Sequence, residues 1–251
     1  MKPAFDSFPV PLLALNETNS TNSYLREYCK CQPTAPFTTV LTSFQTAGRG
    51  QRGNTWESDA EKNLLFSFVL FPDFLEVRRQ FLLSQIVSLA IKETLDCYTE
   101  DISIKWPNDI YWQEKKICGI LIENDWSGNC LCQSIAGIGL NINQQEFHSP
   151  APNPVSLLQI TGHEHELLPL LAQVMTKVKD YYQLLLSGGA ASVALRYREA
   201  LFRKEGWHPY IDAAGSFEAE IVCVEPEGNL VLKDRAGNER TYAFKEVQYA
   251  L

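Results

Sequence analysis

The chain has 251 residues, of which 45% are hydrophobic and 21% are charged, so it can fold as one large domain or as a main domain with a small one. Its 30 acidic and 22 basic side chains give a formal net charge of −8, which argues against a general nucleic-acid binder because phosphate neutralisation requires a basic surface. The richest apolar stretch, 64–75, is interrupted by Ser67, Pro72 and Asp73, and the N-terminus lacks the apolar core of a signal peptide. We therefore expect a cytoplasmic protein that does not engage a membrane.

The seven cysteines predict neither a disulfide framework nor a metal site. An odd number of cysteines in a chain of this length is untypical of a disulfide-stapled protein. Cys29 and Cys31, like Cys130 and Cys132, are separated by a single residue, whereas paired zinc ligands are usually separated by about two to four.

The first 205 residues are predicted to contain both strands and helices. Strands are expected where β-branched and apolar residues cluster, and helices where apolar residues recur every three or four positions. The predicted strands are 8–15, 38–43, 64–71, 102–105, 116–123 and 130–142, with a hairpin turn at 127–129. The predicted helices are 24–28, 74–98, 167–186 and 193–202, and the first is expected to be capped by the side chains of Ser20, Thr21 and Asn22.

The pattern changes near residue 205. From Tyr210 onward, short alternating strands are separated by turn signals at 226–229 and 236–238. We therefore predict an α+β fold, in which a domain of strands and helices spans 1–205 and a small all-β domain spans 206–251.

A glycine-rich loop, FQTAGRGQRGNTW at 44–56, is the most unusual segment of the sequence. It contains three glycines and two arginines but no acidic residue, although the chain as a whole is acidic. Glycine lets the backbone approach a ligand closely, and arginine offers a fork of donors to a phosphate or carboxylate. The loop therefore predicts an anion-binding site, with a flexible, solvated loop tip as the alternative.

The same loop also fits the pattern G-x-G-x-x-G between Gly48 and Gly53. A dinucleotide-binding fold requires a helix directly after that pattern, so that the helix N-terminus faces the pyrophosphate. Here a strand is predicted instead, and the H-R-D and D-F-G motifs of a kinase are missing from the sequence. We expect the anion to be held by a loop between strands.

Two later segments carry further candidate residues. In IKWPNDI at 104–110, Lys105 ends a strand before Trp-Pro, so its direction is fixed by a stiff backbone, as a cation aimed at a phosphate requires. An exposed strand-end lysine is the alternative. In AGIGLNIN at 136–143, Gly137 and Gly139 remove two side chains from one face of a strand, which indicates close approach of a ligand or another backbone, or else a bulge or tight packing on a helix.

Taken together, these segments resemble one family. QTAGRGQRGNTW, KWPNDI with KKICGILIE, and GIGLNIN, in this order and spacing, are similar to the catalytic domain of biotin protein ligases, and so is Ser20-Thr21-Asn22 before the first helix. The resemblance covers about residues 8–250. It implies the biotin–lipoate ligase fold, a mixed β-sheet packed on helices that is similar to class II synthetases, followed by a small SH3-like β-barrel.

The resemblance also implies an activity and its participants. Biotin and ATP with Mg²⁺ would give biotinyl-5′-AMP, and the biotinyl group would pass to a lysine of a biotin carboxyl carrier protein or domain. Lys105 and Arg49 would be the catalytic residues, with no metal bound by the protein itself. Biotin would be contacted by Ser20, Thr21, Asn22, Gln45, Arg49, Gly50, Gln51 and Lys105. The nucleotide would be contacted by Arg49, Arg52, Trp56, Lys105, Asn108, Lys116 and Asn141.

Two features depart from the family pattern. The family usually has arginine where this chain has Gln51, so the loop carries one charge fewer. Repressor-type members carry a DNA-binding domain ahead of the ligase, whereas the motifs begin here within the first twenty residues; we expect a ligase without nucleic-acid partners, acting as a monomer or weak homodimer. The alternatives are a lipoate–protein ligase, which lacks the GRG…W loop, and a catalytically silent biotin-binding module.

Overall fold

A computed structural model describes residues 8–148 and 153–250, together with the backbone but not the side chain of Arg52. Its strands in chain order are β1 (Leu12–Thr18), β2 (Thr39–Gln45), β3 (Leu64–Leu70), β4 (Ile102–Lys105), β5 (Asp109–Trp112), β6 (Lys115–Ser127), β7 (Cys130–Leu140), β8 (His208–Asp212), β9 (Gly215–Val224), β10 (Leu230–Asp234), β11 (Glu239–Tyr242) and β12 (Gln248–Tyr249). Its α-helices are α1 (Thr21–Cys31), α2 (Phe81–Leu95), α3 (Leu157–Thr161), α4 (Leu167–Leu186) and α5 (Ala190–Glu199). None of these helices is long and apolar enough to cross a membrane.

The first sheet is mixed, which confirms the predicted fold class. Its seven strands lie in the order β1-β2-β3-β7-β6-β5-β4. β1 pairs with β2 in parallel, and the other neighbours are antiparallel. Helix α1 packs against β2, β3 and β7, while α2 packs against β4, β5, α4 and α5.

The central strand β3 is buried along its whole length because both faces of the sheet are covered. Phe66 and Phe68 belong to the large core that includes α2 and α4, whereas Val69 packs with Leu25 of α1 in a second, small cluster. Ser67 alternates with the two phenylalanines, so it lies on the α1 face of the sheet. The small cluster and Ser67 together place the start of α1 beside the middle of the sheet.

The C-terminal strands form a separate five-stranded antiparallel sheet in the order β11-β10-β9-β8-β12. The expected all-β segment is therefore present. Within 153–250, however, its edge strands β11 and β12 do not pair with each other, so it is an open sheet rather than a closed barrel. The domain boundary at 205 stays a prediction.

Several element boundaries were predicted wrongly. The first strand begins at Leu12 rather than Phe8, because Pro9 and Pro11 lack the backbone N–H that a strand residue donates to its neighbour. The long helix predicted over 74–98 begins only at Phe81, because Glu76 forms a bridge with Cys130. Strand β5 and helix α3 were not predicted, whereas β4, α4 and the hairpin turn at 127–129 were predicted correctly.

The expected side-chain cap of α1 is also absent from the structure. Ser20 occupies the N-cap position, but its side chain accepts no capping hydrogen bond. Instead the Thr21 backbone N–H donates to Gln45 Oε1 at 2.8 Å, across the interface between α1 and β2. A contact with a distant strand therefore satisfies a donor that sequence reasoning assigned to a local cap.

Candidate active site

The predicted site residues converge on one cavity of about 1050 Å³. Its wall is built from the start of α1, the 44–56 loop, the middle of β6 and β7, the turn between β4 and β5, and the C-terminal segment. The predicted residues that line it are Ser20, Thr21, Asn22, Gln45, Arg49, Gly50, Gln51, Trp56, Lys105, Asn108 and Lys116. Cavities for small ligands usually occupy roughly 300–1,000 Å³, so this one is at the upper end of that range.

A network of neutral polar groups forms one end of the cavity. The Ser67 hydroxyl lies 2.6 Å from both the Thr21 hydroxyl and Asn22 Oδ1, and Thr21 Oγ1 lies 3.2 Å from Gln45 Oε1. Ser67, Thr21 and Asn22 are all at most 4% exposed. Such a network fixes the side-chain directions before a ligand arrives, and it can recognise a ligand with amide-like donors and acceptors.

A carboxylate connects this network to the glycine-rich loop. Asn22 Nδ2 donates to Glu123 Oε2 at 2.8 Å, and the Arg49 guanidinium donates to both Glu123 oxygens at 3.1 and 3.3 Å. Arg49 and Glu123 thus form an ion pair on the cavity wall. A substrate anion that recruits Arg49 must replace this partner.

Sequence reasoning did not assign a role to Ser67 or Glu123. The available signal was that Ser67 is a lone polar residue inside the apolar strand LLFSFVL, and that Glu123 ends the apolar run of KKICGILIE. A buried polar residue in such a position usually has a hydrogen-bond partner, and here the partners lie 45 to 101 residues away in the sequence.

The glycine-rich loop folds back on itself over the sheet. Trp56 N–H donates to the Gly48 carbonyl at 3.0 Å, and Arg49 forms a bridge with Thr55. The Trp56 indole lies flat where β6 and β7 lack side chains, since a Cβ on Gly139 or Gly119 would come within 2.3 and 2.7 Å of the ring.

The strand glycines therefore make room for side chains from other segments. Gly137 leaves room for the Asn22 side chain in the same way, because a Cβ there would lie 2.1 Å from Asn22 Oδ1. Gly137 thus packs on helix α1, as one interpretation expected, whereas Gly139 packs on a loop residue; both glycines also line the cavity, so close approach of a ligand stays a prediction.

Gln51 occupies the middle of the loop and points its amide inward. Its Nε2 donates to Asn108 Oδ1 at 3.0 Å and to the Ile120 carbonyl at 3.3 Å. Asn108 is only 4% exposed and also donates to the Ile120 carbonyl, at 3.4 Å. The neutral Gln51 is thereby tied to the wall at the position where the resemblance leads one to expect a cation. The side chain of Arg52, also predicted to contact the nucleotide, lies outside the described part of the chain.

Two lysines supply positive charge on the other side of the cavity. Lys105 Nζ donates to the Tyr111 hydroxyl at 3.3 Å, and burial lowers the pKa of this lysine from its usual value, with Asp109 acting in the opposite direction. Lys116 forms an ion pair with Asp109 at 2.7 Å. Lys105 thus carries the less neutralised of the two charges, which fits the role of receiving a substrate anion.

Asn141 is the predicted site residue that the structure does not place on the cavity wall. It follows the end of β7, and its Nδ2 donates to the Val155 carbonyl at 3.1 Å. Its Oδ1 is buried without a hydrogen-bond partner among the described residues. Its position explains how it anchors the segment before α3, while its role in nucleotide binding stays a prediction.

The C-terminal sheet contributes to the cavity as well, which sequence reasoning did not predict. Its lining residues are Phe244, Lys245, Val247, Gln248 and Tyr249. The two sheets therefore share one site.

Comparison with known proteins places this arrangement in a family. The model described as the biotin/lipoate A/B protein ligase family matches residues 15–141, about half of the chain. The chain belongs to this family. The matched range includes the start of α1, the glycine-rich loop, Lys105 and the glycine-containing strands.

Individual relatives extend the similarity beyond that range. A biotin–[acetyl-CoA-carboxylase] ligase of Paracoccus denitrificans is 28% identical over 240 residues, covering 90% of this chain and 95% of that protein. The bifunctional ligase/repressor BirA of Bacillus subtilis is 27% identical over 212 residues, covering 82% of this chain. The chain spans 64% of the length of that relative.

The fold is also found in a solved structure. A biotin protein ligase from Aquifex aeolicus, in complex with biotin and ATP, superposes with a TM-score of 0.79 at 26% identity and covers 96% of this chain and 99% of that one. Because the superposition includes nearly the whole chain, it confirms the fold that the sequence resemblance implied, with the C-terminal sheet included.

Proposed function

We propose that this protein is an ATP-dependent biotin protein ligase. It activates biotin as biotinyl-5′-AMP, releasing pyrophosphate, and transfers the biotinyl group to a lysine of a biotin carboxyl carrier domain. The observation that carries the proposal is the single cavity, in which residues from all the resembling motifs and from both sheets meet. The Paracoccus relative is named a biotin–[acetyl-CoA-carboxylase] ligase and the Aquifex structure a biotin protein ligase, which supports the proposal.

The two ends of the cavity suit the two substrates. The neutral network of Thr21, Asn22, Gln45 and Ser67 would accept the ureido ring of biotin, which offers amide-type donors and a carbonyl acceptor. The cationic side chains of Lys105 and Arg49 would receive the biotin carboxylate and the α-phosphate. Trp56 and Lys116 would border the nucleotide.

The chemistry requires two anions to approach each other. The biotin carboxylate attacks the α-phosphorus of ATP, so catalysis depends on positioning and on offsetting negative charge rather than on a side-chain nucleophile. Lys105 is the central cation of this step. Mg²⁺, which prefers oxygen ligands, would arrive on the triphosphate and neutralise part of its charge, with the Asp109 carboxylate on the cavity wall as an oxygen donor of the right type.

We further propose that residues 1–205 form the catalytic domain and 206–251 an accessory domain that completes the cavity. Acyl-CoA carboxylase carrier domains are the expected acceptors. The second step needs the acceptor lysine in its neutral form, although a free lysine has a pKa of about 10.4, so the carrier must dock where its amine loses a proton.

Incubation with ATP, Mg²⁺, biotin and a biotin carboxyl carrier domain, followed by streptavidin blotting, tests the proposal. Label on the carrier is expected only when all components are present, and a carrier whose acceptor lysine is changed to arginine is the matched control. Radiolabelled lipoate in place of biotin must give no product. Transfer of lipoate would identify a lipoate ligase, and biotin binding without transfer would identify a binding module.

A further inference from the structure

The ammonium group of Lys105 lies between two tyrosine rings that come from different sheets. Its Nζ is 4.7 Å from the ring centroid of Tyr111 and 5.1 Å from that of Tyr249. Tyr111 lies on β5, which pairs with the strand of Lys105, whereas Tyr249 lies on β12 of the C-terminal sheet. A cation within about 6 Å of an aromatic face is attracted by the ring. Both rings therefore attract the Lys105 ammonium group, which also donates to the Tyr111 hydroxyl at 3.3 Å.

Tyr249 is itself firmly held. It is 9% exposed, and its ring packs against Phe202 at 5.9 Å and Tyr210 at 5.1 Å between centroids. Its hydroxyl is buried without a hydrogen-bond partner among the described residues. The contact with Lys105 is thus made by the ring, and the hydroxyl is not needed for it.

We propose that Tyr249 is a positioning residue for Lys105, and that the C-terminal sheet acts on adenylation through this ring. The inference rests on the proposed function. A lysine side chain has four flexible bonds, and ordering it during the reaction costs conformational entropy. Two rings that confine the ammonium group before the substrates arrive remove most of that cost from the reaction step.

The C-terminal sheet also holds the residue next to Lys105. Trp106 Nε1 donates to the Gly228 carbonyl at 2.8 Å, and its ring contacts that of Phe244. A variant that merely loosened this sheet would therefore disturb Lys105 indirectly. The test has to separate loss of the Tyr249 ring from loss of sheet packing.

Tyr249→Phe and Tyr249→Met provide that separation, because both remove the hydroxyl and keep a large apolar side chain, but only phenylalanine keeps a π face. Pyrophosphate release at saturating biotin and ATP is expected to stay within about 2-fold of wild type in Tyr249→Phe. It should fall by about 2- to 30-fold in Tyr249→Met, the range of one cation–π contact. The dissociation constant for biotin should change less than the rate. Phe217→Leu, which alters an aromatic residue of the same sheet remote from Lys105, is the control for packing.

A readout that does not require activity follows the position of Lys105 directly. In protein labelled at the lysine ε-carbons with ¹³C, the resonance of Lys105, assigned by its loss in Lys105→Arg, should be shifted upfield by both rings. Tyr249→Phe should keep this shift, and Tyr249→Met should reduce it. An unchanged resonance in Tyr249→Met, or a rate equal to that of Phe217→Leu, would overturn the proposal. If the wild-type protein forms no adenylate, the proposed function fails, and the resonance still decides whether Tyr249 positions Lys105.

Discussion

Replacing Gln51 with arginine adds a charge to the cavity wall at a position where the structure can accommodate it. Gln51 Nε2 now donates to Asn108 Oδ1 and to the Ile120 carbonyl. An arginine offers five N–H donors in a planar fork, so it can keep an acceptor on the wall and direct another donor at a phosphate.

The size of the effect follows from the bonds gained and lost. A charge-assisted hydrogen bond contributes about 1.5–3 kcal/mol, and a neutral one about 0.5–1.5 kcal/mol. If Gln51→Arg gains the first and gives up one of the two neutral bonds of Gln51, the net gain is between about 0 and 2.5 kcal/mol. Biotinyl-5′-AMP should therefore leave the Gln51→Arg protein more slowly than wild type, by up to about 70-fold.

The assay measures escape of the intermediate. Protein is loaded with labelled biotin and ATP, free ligand is removed by rapid gel filtration, and bound label is followed over time without an acceptor. Gln51→Leu, which lacks both charge and hydrogen bonds, is the matched control and should release fastest. The reasoning about Gln51 is wrong if Gln51→Arg releases the adenylate at the wild-type rate and Arg52→Ala releases it much faster. That result would show that Arg52 already holds the adenylate.

Three further outcomes are expected. Lys105→Ala should lower adenylation by about 10²–10³-fold while weakening biotin binding much less, because it removes a charge aimed at the developing phosphate charge; near-normal pyrophosphate release would exclude Lys105 from the mechanism. Limited proteolysis at Arg49 and Arg52 should slow sharply with biotin and ATP, because the loop has few apolar anchors of its own; equal cleavage rates with and without ligand would contradict this. Gly139→Ala should lower the free energy of unfolding by about 1–3 kcal/mol and alter tryptophan fluorescence, because its methyl group would lie 2.3 Å from the Trp56 indole. Unchanged denaturation and unchanged fluorescence emission would refute the packing argument.

The elements predicted correctly from the sequence are those whose local pattern agrees with their tertiary surroundings. Strand β4 and helix α4 combine clear apolar spacing with clear boundaries, and their bounds match. Helix α2 begins later than its apolar spacing suggests because Glu76 pairs with Cys130, a contact that no local pattern reveals. Strand β5 is as short as β4, but it begins directly after the turn at 106–108, and the sequence interpretation treated it as part of the IKWPNDI motif.

The residues of the candidate site likewise fall into those that could be predicted from the sequence and those that could not. Its contiguous motifs were visible because the residues that act together are close in sequence, as in the glycine-rich loop. Ser67, Glu123 and Tyr249 were missed because their roles depend on partners that only the strand register brings near. Glu123 and Asn22 are 101 residues apart, and Tyr249 reaches Lys105 from the other sheet.

Three cationic side chains of the site have internal partners. Arg49 is paired with Glu123, Lys116 is paired with Asp109, and Lys105 lies between aromatic faces. Each substrate anion must therefore exchange for an internal partner, so affinity is the difference between two interactions rather than the full strength of one. A triphosphate carries more negative charge than the single carboxylate it displaces, whereas biotin carries only an equal charge. If the proposed function holds, we therefore expect ATP, more than biotin, to supply the free energy that draws Arg49 away from Glu123.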